Sequence, residues 1–301
     1  MDNNTAPLNQ KAMLIINPVS GKKLVLKHIT GIIRSLMNAG YLVTTFVTSC
    51  RGEATEFVQR YGRDYDLICC TGGDGSLNET LTGLAREEID VPLGYIPCGS
   101  TNDFAQSHEL STDIPTAAAN IASGKCRRYD IGRFGDNFFS YVAAFGAFSW
   151  LSYTTDQRMK NALGHTAYIL DGIKDVYKIK PEHVRVTANG QTYEDDYIFG
   201  AVCNSTSVAG TIELPTNMVD TADGLFEVLL VKMPETLSEL NSIITAVLNQ
   251  DYSNPLITFF QASTIDIDNP PDLFWALDGE RSDWYEHIHI EPMPKFLNLQ
   301  G

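Results

Sequence analysis

Short apolar runs and amphipathic stretches alternate along the first 130 residues. Residues 11–17 (KAMLIIN) form an apolar run of strand type. Ile29, Ile32, Ile33, Leu36 and Met37 fall on one helical face, and Gly40 follows as a C-terminal cap. The pattern then predicts strand over 41–47, helix over 53–61, strand over 66–71 and helix over 76–85. A strand over 91–96 and a helix over 115–123, closed by Gly124, complete this half. Strands alternating with helices imply βαβ units and a mostly parallel sheet. Such sheets bind ligands at the carboxyl ends of their strands, so the loops after the strands are where chemistry is expected.

After about Tyr129 the period changes. Val184 and Val186 alternate with polar residues up to Asn189-Gly190, a two-residue hairpin signal, and a second strand runs on to Asn204. Further strands are predicted at 224–232, around Ile265 and Ile267, at 274–277 and at 288–290. Asn269-Pro270-Pro271-Asp272 breaks the run between two of them. Helical patterns over 156–177 and 235–249 interrupt this half. The expected architecture is an N-terminal α/β domain with a parallel sheet, 11–129, and a mainly antiparallel β domain, 130–292. Residues 293–301 form a C-terminal segment that would return to the first domain. No Pro/Gly-rich linker marks the boundary, so tight packing of the domains is expected.

A length of 301 residues suits two domains, and 44% apolar with 20% charged residues is ordinary for a chain that buries cores. The polar N-terminus lacks the basic and apolar regions of a signal peptide, and no apolar run reaches the length of a membrane span. A cytoplasmic location is expected. The formal charge of −15 argues against nucleic acid as a partner and against firm attachment to anionic membranes. Transient membrane contact stays open. The six cysteines contain no C-x-x-C pair, so they are expected to be buried reduced thiols rather than zinc ligands. The histidines are scattered, with His287 and His289 alternating on one strand.

The sharpest local feature is LICCTGGDGSLN, in which an apolar strand runs into Gly72, Gly73 and Gly75 and then into a helix expected to begin near Ser76. Glycines let the backbone approach a ligand without Cβ clashes. Successive N–H groups and a helix N-terminus make an anion site. The P-loop lysine and spacing are missing. Asp74 would lie inside this loop, suited either to a Mg²⁺ beside bound phosphate, to taking a hydroxyl proton, or to capping the helix. Asn17-Pro18-Val19-Ser20-Gly21 and residues 97–104 (PCGSTNDF) follow two other strands and would converge with it on one sheet edge.

The order and spacing of NPVSG (17–21), GGDGSLNE (72–79) and PCGSTNDFA (97–105) resemble the diacylglycerol kinase catalytic family, its bacterial soluble lipid kinases above all. The resemblance runs from about Lys11 onward. It implies a nucleotide-binding α/β domain, a β-sandwich-like second domain, and an active site in the cleft between. It implies ATP contacts at Asn17, Pro18, Val19, Ser20, Gly21, Thr48, Gly72, Gly73, Asp74, Gly75, Ser76, Leu77, Asn78 and Ser100. It further implies a structural Mg²⁺ site at Asp220, Asp223 and Leu225, the first and last through backbone carbonyls. Glu280 of Asp278-Gly279-Glu280 would be the proton acceptor. Serine stands at positions 76 and 100, where the family usually has threonine.

Two carboxylates near Mg-nucleotide suit phosphoryl transfer, Asp278 organising metal with Asp74, and Glu280 accepting the hydroxyl proton. The expected reaction is transfer of the ATP γ-phosphate to a lipid hydroxyl, by a monomer or a homodimer. Residues 138–150 and 205–214 are candidates for an apolar lining or for ordinary core. An NAD kinase-like phosphotransferase and a non-catalytic nucleotide- or lipid-binding regulator are the rival expectations.

Overall fold

The computed structural model describes residues 8–20, 24–146, 180–208, 212–214 and 217–301. Gly21, the helix expected over 156–177 and residues 147–150 of the apolar stretch lie outside the described residues. The chain divides into two units: Met1–Ile131 with Met293–Gly301, and Gly132–Pro292.

In the first unit β1 (Gln10–Ile16), β2 (Tyr41–Val47), β3 (Leu67–Gly72) and β4 (Leu93–Pro97) pair in parallel in the order β2-β1-β3-β4. The last residues of the chain add a fifth parallel strand beside β4, with Leu299 opposite Leu93. The central strands are buried almost without interruption, as strands covered by helices on both faces must be. α1 (Leu24–Asn38) packs with α5 (Ile114–Ala122), and α2 (Glu53–Tyr61) with α3 (Asp74–Arg86). Ile32 and Leu36 of α1 and Ala117 and Ile121 of α5 share one core with Leu14, Leu67 and Ile96 from the strands.

Two local differences from the sequence pattern matter. α3 begins at Asp74, not near Ser76, so Asp74 belongs to a helical turn rather than to a loop. A five-residue helix, α4 (Asp103–Ser107), follows β4 where no periodicity announces it.

The second unit is built from antiparallel pairs. β5 (Cys126–Phe134) pairs with β6 (Asn137–Phe139), and β10 (Ser207–Val208) with β11 (Ile212–Glu213). β7 (Val142–Gly146), β9 (Gln191–Cys203), β8 (Glu182–Ala188) and β14 (Ile265–Asp268) lie side by side, and β12 (Phe226–Lys232) pairs both β9 and β13 (Ile257–Ala262). The β8–β9 hairpin turns through Asn189 and Gly190, both at positive φ (51° and 73°), the geometry a two-residue hairpin requires. Phe139, Ala143 and Phe145 join Phe134, Phe226 and Trp275 in the core, so this part of the 138–150 stretch is core rather than lining. α6 (Leu237–Leu248) starts at a capping box, with Thr236 and Glu239 each bonding the other's backbone N–H. β12 starts at Phe226, after Gly224, and the strand expected over 274–277 contracts to β15 (Ala276–Leu277), paired with β16 (Glu280–Arg281). The final strand, β17 (His287–Gln300), sets Ile290 and Ile288 opposite Ile265 and Ile267 of β14.

No two cysteines are bonded; Cys50 and Cys126 are exposed, contrary to the expectation of uniform burial. Among the described residues no helix is long and apolar enough to cross a membrane.

Buried His108 ends α4, its Nδ1 3.0 Å from the Phe104 carbonyl and its ring stacked 4.1 Å from the Phe104 ring. Burial lowers its pKa from 6.5 to about 4. Between pH 6.5 and 4 the unfolded chain therefore takes up a proton that the folded chain refuses. The neutral ring's contribution is complete above pH 6.5 and is lost as pH falls through that window, by up to about 3 kcal/mol. Urea midpoints of the wild type should fall across this range more steeply than those of His108→Leu; parallel curves would show that His108 is not the titrating group.

Candidate active site

The strand order β2-β1-β3-β4 places a topological switch point between β1 and β3, where an open parallel sheet leaves a crevice at its carboxyl edge. Three loops leave the sheet there, and hydrogen bonds tie them together. Asn17 donates its backbone N–H to Thr71 O (3.2 Å) and its Nδ2 to Ser76 Oγ (3.0 Å), while its Oδ1 accepts from Val19 N (3.2 Å). One side chain thus shapes the first loop and fastens it to α3. Ser20 Oγ donates to Cys98 O at 3.5 Å. Thr48, at the end of β2, donates both its N–H (2.9 Å) and its hydroxyl (3.3 Å) to Ile16 O.

The second and third loops approach backbone to backbone. Cys98 N donates to Gly72 O at 2.8 Å, and a Cβ at Gly99 would stand 2.5 Å from Gly73 Cα. Any side chain at Gly99 would push the loops apart, and a Cβ at Gly72 would overlap Ser76 Oγ. Beneath them, buried Tyr95 donates to Gly72 O at 3.3 Å. Burial first, and then the charge of Asp74, push its hydroxyl far above the ordinary range, so it stays a donor. Asn102, at φ 54°, closes the third loop: its Oδ1 accepts from Gly99 N (2.8 Å) and its Nδ2 donates to Gly99 O (3.1 Å).

Asp74 reaches from α3 to the backbone of the third loop. Its Oδ2 accepts from Asp103 N at 3.0 Å and its Oδ1 from Phe104 N at 3.2 Å. It therefore caps α4 from another element, and α3 itself has Gly73 at its N-cap and no side-chain cap. The first-turn N–H groups of α3 are aligned with the helix dipole at this edge, and Ser76 N donates back to Gly73 O at 3.0 Å. Leu77 follows in the same turn. Its side chain is 0% exposed and its N–H donates to Gly73 O at 3.2 Å. Val19 is 74% exposed, and Ser100 lies exposed in the third loop.

In the second unit Asp278 and Gly279, at φ 49° and 84°, form the two-residue turn between β15 and β16. The turn reads as exposed in sequence, yet Asp278 is 3% exposed. Its Oδ2 accepts from Ser140 N (2.6 Å) and Ser140 Oγ (2.9 Å), and its Oδ1 from Tyr141 N (3.0 Å) and Val142 N (3.2 Å). Those four donors match the lone-pair capacity of a carboxylate. Through these bonds Asp278 anchors the turn that carries half-buried Glu280. Ser140 and Tyr141 escape a reading of the sequence because nothing local links them to a residue 138 positions away.

In the 220–225 segment Asp220 Oδ1 accepts from Ala222 N (3.0 Å) and Asp223 Oδ1 from Leu225 N (2.9 Å). Both aspartates are exposed. Among the described residues no three His, Cys, Asp or Glu side chains gather as a metal cage. A site resting largely on backbone carbonyls needs no such cage. Glu227 on β12 is a further functional candidate that the motifs do not reveal. It is 1% exposed; Oε1 accepts from Gln261 Nε2 at 3.0 Å, and Oε2 is buried without a partner. Burial, with smaller effects of Asp223 and Asp220, raises its pKa to about 7. A lone carboxylate inside the apolar run FEVLLV is the signal the sequence offers.

Asp278→Asn puts an amide NH₂ where one oxygen accepts from two donors. Unfolding free energy should drop by about 2–4 kcal/mol, since buried N–H groups lose their acceptor. A change under about 0.5 kcal/mol, the usual range for a surface site, would show that the four bonds do not anchor the turn.

Comparison with known proteins agrees with this geometry. The diacylglycerol kinase catalytic domain matches residues 11–134, and the YegS C-terminal NAD kinase beta sandwich-like domain matches residues 149–300. The chain is 31% identical over 298 residues to a diacylglycerol kinase of Bacillus subtilis (strain 168), covering 95% of this chain and 97% of that one. It is 32% identical over 272 residues to a diacylglycerol kinase of Staphylococcus haemolyticus (strain JCSC1435), covering 89% and 82%. A solved structure from Bacillus anthracis str. Sterne superposes with a TM-score of 0.79 at 25% identity, covering 100% and 98%. With its paired domains, its strand-end loops and its relatives across nearly the whole length, the chain belongs to the diacylglycerol kinase family.

Proposed function

We propose that this kinase transfers the γ-phosphoryl group of ATP, bound with Mg²⁺, to the free hydroxyl of a diacylglycerol-like lipid. The observation that carries the reading is the bonded set of three strand-end loops at the β1/β3 switch point. Such an edge offers backbone N–H groups and hydroxyls to a triphosphate, with Asn17, Thr48, Ser76 and Ser100 at its rim. Gly72, Gly73 and Gly75 give the phosphates close access, and Asn78 follows on α3.

The described loop residues 17–20, 72–78 and 97–104 contain no lysine or arginine. Lys22 and Lys23 follow directly on the first loop in the sequence, and a divalent ion carried with the nucleotide would share in meeting the phosphate charge. When bound, Mg²⁺ neutralises charge on the transferring group; Asp220, Asp223 and the Leu225 carbonyl are the residues proposed to hold a structural ion. Asp74 keeps the third loop in place, Asp278 fixes the turn, and Glu280 accepts the hydroxyl proton. The protein is placed in the cytoplasm, meeting its lipid by transient contact with a membrane surface. Serine at 76 preserves the hydroxyl that Asn17 bonds, which supports a working rather than a degenerate site.

Incubation with γ-labelled ATP, Mg²⁺ and lipids in mixed micelles, with NAD alongside, should place label in one organic-phase product. Label in NAD alone would move the reading to an NAD kinase-like activity. ATP binding with no labelled product would favour a regulator. Glu280→Gln should lower kcat about 10²–10⁴-fold with an unchanged unfolding midpoint; wild-type turnover in the folded variant would remove Glu280 from the reaction.

A further inference from the structure

Glu227 stands on a strand otherwise made for a core. Phe226, Val228 and Leu230 point into one hydrophobic cluster, and Glu227 lies on the opposite face of β12. Its neighbours across the sheet are Cys203 on β9 and Gln261 on β13. Cys203 is a neutral thiol there, since burial and then the nearby Glu227 push its pKa far up. Gln261 gives its amide group both to Glu227 Oε1 (3.0 Å) and to Met218 O (2.8 Å). The carboxylate is thereby tied to the start of the segment that carries Asp220 and Asp223.

Nothing in the described surroundings satisfies the other oxygen, Oε2. The charged side chains that act on Glu227 are Asp223 and Asp220, both acidic. A buried carboxylate with an unfilled oxygen and only like charges for company is costly, and such groups persist where an ion or its waters complete them. The 220–225 segment is the one that carries the proposed divalent cation, so a role for Glu227 here rests on that reading. Because no three acidic side chains gather as direct ligands, Glu227 stands one step back from the ion.

We propose that Glu227 is a positioning residue of the 220–225 cation site, its Oε2 accepting a hydrogen from a water carried by the ion. Gln261 holds the opposite edge of the carboxylate and couples it to Met218. Outer partners of this kind typically change metal affinity about 10–100-fold.

The test uses the full chain without nucleotide, titrated with Mn²⁺ and followed by electron paramagnetic resonance, with Mg²⁺-dependent thermal midpoints beside it. The wild type should bind Mn²⁺ at one site, and Asp223→Asn should weaken it. Glu227→Gln should weaken it about 10–100-fold. Glu227→Leu should lose the same cation response while its metal-free midpoint rises, because the orphaned oxygen is gone. Wild-type affinity in Glu227→Gln, with Asp223→Asn weakened, would overturn the role of Glu227 and leave the cation site standing. A wild type that binds no Mn²⁺, or binding indifferent to Asp223→Asn, would overturn both.

Discussion

One carboxylate holds the carboxyl edge of the parallel sheet together. Asp74 belongs to α3, yet its oxygens accept the first N–H groups of α4, a helix too short to be stable by itself. Those bonds draw the third loop onto the second until Gly99 meets Gly73 with no room for a side chain. Cys98 can then bond Gly72, and Asn102 can close the third loop on Gly99. Remove the carboxylate and two amides lose their acceptor where the loops must stay in register. The first loop hangs on the same frame through Asn17 and Ser76. The geometry of the edge therefore depends on an anionic side chain bonded to the loops themselves.

The second unit repeats the device. Asp278 sits before a glycine, as Asp74 does, and spends its oxygens on backbone N–H groups of a distant segment. In both Asp-Gly pairs the aspartate orders the backbone of another segment. Motif reasoning assigns such acids to metal or proton because those chemistries also favour aspartate beside glycine. The hydrogen bonds show that both also order backbone. Glu280 is carried on the anchored turn.

Most of the fold is legible in the sequence because it follows from period. Buried parallel strands read as apolar runs, and Asn189-Gly190 dictates a hairpin that the backbone forms with two positive φ angles. The features that escape depend on partners remote in sequence. α4 has no apolar period and exists by virtue of a cap supplied 29 residues earlier. The pattern sets the start of α3 two residues late because a Gly-rich segment reads as loop, whereas Gly75 here lies inside a helical turn. Leu77, which its motif groups with the loop residues around it, is instead a core contact of that helix. Glu227 escapes because a strand pattern rewards its apolar neighbours and ignores the exception.

The electrostatics of the chain point the same way as its hydrogen bonds. A formal charge of −15 repels a bare polyphosphate. Asp74 and Asp103 place acid at the edge itself. Helix dipoles and N–H groups contribute only partial charges, enough to orient phosphate oxygens but not to balance them. A nucleotide already carrying a divalent ion meets a much smaller barrier than the free anion.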